Sequence, residues 1–116
     1  MNELIESIFS DFEVDGVQIP VSFMYYEGHG EPYVVYMNQD KNNSITGDDK
    51  LIGYVDYYDF DVYSRGNYTK IIESLREKLE ENGFVWQPSR SSIDMLDPDT
   101  FYYHKTLNFA IYKEEN

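Results

Sequence analysis

The chain has 116 residues with 22 acidic against 9 basic side chains, a net charge of −13, and no cysteine. That length suits one domain with one modest core. Without cysteine there is no disulfide framework, thiolate nucleophile or cysteine-ligated zinc. The charge is uneven. Residues 1–40 hold eight acids (Glu3, Glu6, Asp11, Glu13, Asp15, Glu27, Glu31 and Asp40) and no Lys or Arg, whereas gripping DNA or RNA needs cations that displace counterions from phosphate, so no direct nucleic-acid grip is expected.

Residues 2–12 place Leu4, Ile5, Ile8, Phe9 and Phe12 at helical spacing, which predicts a short amphipathic helix lying on a sheet. After Asp15-Gly16 comes "VQIPVSFMYY", in which Pro20 marks an edge strand or an interrupted one. "EGHGEP" is turn chemistry, and "YVVYM" at 33–37 is a strand. The polar stretch 38–50 then predicts a long hairpin loop, because it holds no aromatic residue and only Ile45 as an apolar anchor. Loops of that length are functional or disordered, and this one is expected to be a mobile arm that orders against a neighbouring subunit.

Residues 50–64, "KLIGYVDYYDFDVYS", carry the longest strand signal. Placing Tyr58, Phe60 and Val62 inward turns Asp59, Asp61 and Tyr63 outward. Asp56 then falls on the inward side, which suggests a bulge or a strand running past the core. A second helix is expected over 67–82, with an apolar stripe of Tyr68, Ile71, Ile72, Leu75 and Leu79, Asn67 as its cap and Asn82-Gly83 as its stop. "FVWQP" at 84–88 is a short strand, residues 89–100 form an irregular connection with a turn at Asp97-Pro98, and the chain alternates from Phe101 onward as a central strand. The order predicts an α+β domain spanning 1–116: an antiparallel β-sheet with two helices packed on one face and a long hairpin arm.

The candidate chemistry is thin. Asp40, Asn42 and Ser44 fit the start of a calcium loop, but Ile45 stands where that loop needs Gly and Leu51 where it needs a bidentate Glu, so no metal is expected there. His29 and His104 are isolated from further ligands. Ser89, Ser91 and Ser92 have no nucleophile elbow. Asp56, Asp59 and Asp61 are paired carboxylates in principle, with Asp59 and Asp61 expected to be solvated on the outer strand surface. No enzyme activity and no cofactor are expected. No apolar run approaches the roughly 20 residues of a membrane span, and acids stand where a signal peptide needs positive charge. A soluble protein made in the cytoplasm is the expectation.

The layout as a whole resembles the small tail-terminator or tail-completion proteins of long-tailed phages and prophages. The resemblance rests on the N-terminal helix, "YVVYM", the polar arm, "FDVYS" leading into "GNYTKIIESLREKLEENGF", and "DPDTFYYHKTLNFAI". It implies a structural virion protein in the tail, forming a ring, commonly a hexamer, that caps the tail tube and joins it to the head connector. The partners so implied are further copies of the chain, the tail tube protein and the head-tail connector protein. The resemblance supplies no catalytic residues. Asn38, Asp40, Asn42, Asn43, Ile45, Asp48 and Asp49 would form the arm that engages a neighbour or the tube. Copies each at −13 repel one another, so assembly is expected to be weak at low salt and to rise with added salt. An alternative from another class is an acidic mimic of DNA that occupies a DNA-binding enzyme.

Overall fold

A computed structural model describes residues 2–26, 28, 32–47, 50–66, 68–99 and 101–114; for 2, 39–47, 50–52, 68, 113 and 114 it gives the backbone alone. The first helix, α1 (Asn2–Ile8), stops four residues short of the expected end. Ser10 donates its hydroxyl to the Ser7 carbonyl at 3.3 Å, a local competitor of the helical ladder. Phe9 and Phe12 stay buried beyond the helix and meet edge to face at 5.1 Å. A two-residue hairpin, β1 (Glu13–Val14) with β2 (Val17–Gln18), follows and sends Val14 and Ile19 into the core.

Pro20 separates β2 from β3 (Val21–Phe23), and β3 is the edge strand anticipated there, running parallel to β4 (Tyr33–Gly47). Strand β4 pairs antiparallel with β5 (Lys50–Ser64). The polar stretch expected as a long loop is therefore strand: residues 38–47 belong to β4, and only Asp48 and Asp49, which lie outside the described residues, join it to β5. Backbone pairing accounts for the difference. Two register shifts between Asn38 and Asn43 each insert an extra residue on the β4 side, which breaks the two-residue alternation that marks a strand in sequence. Asp56 needs no bulge of its own, because β5 pairs with the last strand without interruption from Gly53 to Ser64.

Helix α2 (Tyr68–Glu81) lies within one residue of the expected span at each end; Asn67 and the side chain of Tyr68 lie outside the described residues. Its end is built as anticipated. Gly83 takes a φ of +91°, its N–H bonds to the Glu80 carbonyl at 3.2 Å, and the Phe84 N–H bonds to the Leu79 carbonyl at 3.0 Å. These two bonds close a left-handed helix stop and turn Phe84 into the core. The chain continues through β6 (Val85–Trp86), a 3-10 turn at Pro88–Arg90, β7 (Met95–Leu96) and β8 (Tyr103–Glu114). The main sheet has the order β3-β4-β5-β8-β6, with β7 also on β8, and all pairings except β3 with β4 are antiparallel.

Both helices bury their apolar sides in one cluster: Ile5 from α1 and Ile71, Leu75 and Leu79 from α2 join Val34, Tyr36, Phe60, Val62, Leu107 and Phe109 of the sheet. At about 1.5–3 kcal/mol for each fully buried Ile or Leu, the stripe of α2 is a principal anchor of the domain. A 15-residue strand spans about 50 Å at roughly 3.3 Å per residue, and the molecule measures 52 × 27 × 23 Å. The β4–β5 hairpin thus matches the long axis. The helices cover only part of that length.

Candidate functional site: the outer face of the sheet

The same alternation that buries Tyr58, Phe60 and Val62 sends their neighbours to the opposite face, where three strands place them in consecutive rungs. Tyr33, Tyr63 and His104 stand in register across β4, β5 and β8, followed by Val35, Asp61 and Thr106, and then by Met37, Asp59 and Asn108. Direct cross-strand partners interact strongly in a sheet. Here the first rung forms a column of rings: Tyr26 on Tyr33 at 4.5 Å, Tyr33 on Tyr63 at 4.7 Å and Tyr63 on His104 at 4.3 Å, all near parallel. Tyr102 meets Tyr33 edge to face, and the Arg65 guanidinium sits 5.0 Å from the Tyr102 ring centre.

Asp59 and Asp61 depart from the expectation of solvated carboxylates. Asp59 accepts the Asn108 side-chain amide at 2.8 Å, and Asp61 accepts the Thr106 hydroxyl at 2.6 Å, with the Asp61 side chain only 18% exposed. Burial raises the Asp59 pKa; the Asn108 hydrogen bond opposes that, the Asp61 charge adds to it, and the Arg90 guanidinium opposes it. Burial likewise pushes Tyr63 up to about 12, helped by Asp61 and Tyr33, and raises Tyr33, helped by Tyr102 and Tyr26. Asp56 is buried on the helix side of the sheet, apart from Asp59 and Asp61. The three acids found together in sequence are not brought together in space.

The 85–96 segment closes the far edge of β8 by an uncommon route. Between β6 and β7, serine hydroxyls supplement main-chain bonds to β8: Ser91 Oγ accepts the Asn108 backbone N–H at 3.0 Å and Ser92 Oγ accepts the Thr106 N–H at 2.9 Å, while the Gln87 and Ser92 N–H groups donate to the Asn108 and Thr106 carbonyls. Ser91 Oγ also accepts the Trp86 indole N–H at 3.1 Å and donates to the Gln87 carbonyl at 2.9 Å. These serines hold an edge together. From the same segment Arg90 stacks its guanidinium 3.9 Å from the Tyr57 ring centre.

Two shallow cavities flank the ring column. One, of about 340 Å³, is lined by the rings of Tyr33, Tyr63, Tyr102 and His104 and by Met95, Leu96 and Asp97. The other, of about 320 Å³, lies toward Met24, Tyr25, Val35 and Met37 and shares Tyr33 and Tyr63. Apolar groups that line them stay in water: Met24 and Tyr25 in the second and Leu96 in the first are exposed. His104 Nε2 lies 3.9 Å from Asp61 Oδ1, beyond the roughly 2.6–3.2 Å needed to pass a proton. Among the described residues no group of three His, Cys, Asp or Glu is placed to hold a metal ion, and no helix is long and apolar enough to cross a membrane.

Of the residues singled out in sequence, Asn38 is half-buried in β4 with its side-chain Nδ2 buried and without a hydrogen-bond partner among the described residues. Asp40, Asn42, Asn43 and Ile45 are placed in β4 by their backbone, and His29, Asp48 and Asp49 lie outside the described residues. None of Tyr33, Tyr63 and Tyr102 was singled out in the sequence as a candidate site residue. The signal that marks them is the alternation Tyr57, Asp59, Asp61, Tyr63 on one face, matched by Tyr33 and His104 in register. Comparison with known proteins gives no match to a family model and none to a curated protein.

Proposed function

We propose that this chain is a structural subunit of a phage tail end, a ring-forming protein that caps the tail tube and joins it to the head connector, as the layout of its sequence suggests. The observation that carries this reading is the hairpin. Strand β3 covers β4 only from Val34 to Tyr36, so among the described residues 37–47 pair with β5 alone along one side. A free strand edge of that length is a template for contact with a neighbour. The net charge of −13 fits a surface past which DNA moves without adhering. In this role the catalytic repertoire is empty, and the arm residues 38–49 engage an adjacent copy or the tube.

Sedimentation of the purified protein across a salt series tests the assembly. Ring-sized particles that grow with added salt are expected, because screening relieves repulsion between acidic copies. Replacing residues 41–50 by a tight turn should leave the domain folded and abolish the ring. Electron microscopy of the protein mixed with purified tail tubes should show density at one tube end. A monomer at every salt concentration that ignores tubes sinks the proposal, and inhibition of a restriction enzyme by that monomer would favour the DNA-mimic alternative instead.

A further inference from the structure

Strand β3 is cut short by its own backbone. Met24 holds φ at +62°, the left-handed region that a residue with a side chain enters at a cost, and the Tyr25 N–H bonds the Phe23 carbonyl at 2.7 Å, a three-residue turn that carries the chain off the β4 border. Among the described residues nothing else pairs with that border. The Val34 N–H bonds the Pro20 carbonyl and the Tyr36 carbonyl accepts the Met24 N–H, so these even-numbered positions aim their backbone groups away from β5, and Asn38 is the next of the series. We infer that this border joins two copies of the chain, β4 against β4 about a two-fold axis near Asp40-Lys41, into one continuous sheet. The pairing shares the free edge with the tail-end reading above and needs nothing else from it.

Charge and outline select this occupant. The chain carries −13, yet residues 37–47 contain one Asp and one Lys and no other ionisable side chain, so the border itself is neutral. Two copies meet there without adding like charges at the contact. Antiparallel pairing also sets the helix-covered halves, with Glu73, Glu77, Glu80 and Glu81 of α2, at opposite ends of the joint, where salt screens their repulsion. Outline adds the second reason. The extra residues of β4 fall between Asn38 and Asp40 and between Asp40 and Asn43, nearly symmetric about Asp40-Lys41. A regular strand loses step with them, whereas a second β4 turned by half a rotation meets each irregular stretch with the other. Such a contact is isologous and closes at two copies.

The intact chain should show a monomer–dimer equilibrium in sedimentation at physiological salt, and amide exchange at Asn38 should slow as concentration rises. Because the chain has no cysteine, one introduced thiol reports the contact without background. Opposed residues of an antiparallel pair have Cα atoms about 4.5–5.5 Å apart, within disulfide reach. Under mild oxidation, one or two neighbouring positions among Gln39→Cys, Asp40→Cys, Lys41→Cys and Asn42→Cys should give a cross-linked dimer, and Thr69→Cys at the exposed start of α2 should give none. Lys41→Glu turns the neutral border to −2 in each copy and should raise the dimer dissociation constant by about fivefold; Lys78→Glu makes the same charge change on α2 and should leave it unchanged. A monomer at every concentration, border cysteines that link no better than Thr69→Cys, or equal losses from the two Lys→Glu variants would each overturn the inference. So would a monomer whose Asn38 amide is protected only by added tail tubes. Rings that form without border cross-links would end this inference and leave the tail-end reading, and a cross-linking dimer that ignores tail tubes would do the reverse.

Discussion

The two faces of this sheet bury side chains from the same strands by different means. On the inner face Phe60, Val62, Leu107 and Phe109 are sealed by α1 and α2, and the stabilising term is removal of apolar surface from water. On the outer face neither α1 nor α2 packs, yet Asp61 and Tyr63 are still mostly covered, because neighbouring rungs cover one another through ring stacking and side-chain hydrogen bonds. Inner-face stability is cooperative with the helices. Outer-face stability is local, rung by rung, which leaves that face open to an incoming surface.

The comparison can be broken by experiment. Leu75→Asp puts a charge at a fully buried position of α2 and should leave no folded protein by circular dichroism, since an unpaired buried charge costs several kcal/mol. Tyr63→Ala removes two ring stacks from the outer face, at about 0.5–1.5 kcal/mol each. It should lower urea stability by about 1–3 kcal/mol and leave the helical signal intact; global unfolding of this variant would mean that the faces are not independent. Thr106→Val deletes the 2.6 Å hydrogen bond to Asp61 and should cost about 1 kcal/mol, water replacing part of the loss at a partly exposed site.

Tyr36→Phe should have the smallest effect at neutral pH, within about 1 kcal/mol, because the buried Tyr36 hydroxyl has no hydrogen-bond partner among the described residues. Its consequence appears in alkali. Burial, then Glu6 and Tyr58, push the Tyr36 pKa up to about 12, and Tyr63 rises to the same range. Both groups are favoured neutral in the fold, so the stability they contribute is present below pH 10, the ordinary tyrosine value, and is lost as pH climbs from 10 through about 12. Tyr36→Phe should flatten part of that loss, and tyrosinate absorbance should show one late-titrating ring fewer. An unchanged alkaline transition would place the sensitivity on the outer face alone.

Helix α2 and its Gly83 stop, the inward set Tyr58, Phe60 and Val62, and the edge role of β3 after Pro20 were all legible in the sequence. Each follows from a local period or a backbone constraint that tertiary contacts reinforce. Strand β4 beyond Met37 was not. Its extra residues destroy the alternation, and its strand state comes from pairing with β5 rather than from its own composition. The outer face was half legible: Tyr63, Asp61 and Asp59 were assigned outward, but what covers them comes from Tyr33, Thr106 and Asn108, between 30 and 49 positions away along the chain. Contacts of that range leave no mark in a periodicity.

The register shifts in β4 have a further consequence. An irregular border accepts an incoming strand over only a few residues at a time, so generic strand-to-strand sticking, the first step of amyloid growth, finds no long straight rail to follow. Only a strand whose own outline carries matching kinks would run along that border without interruption.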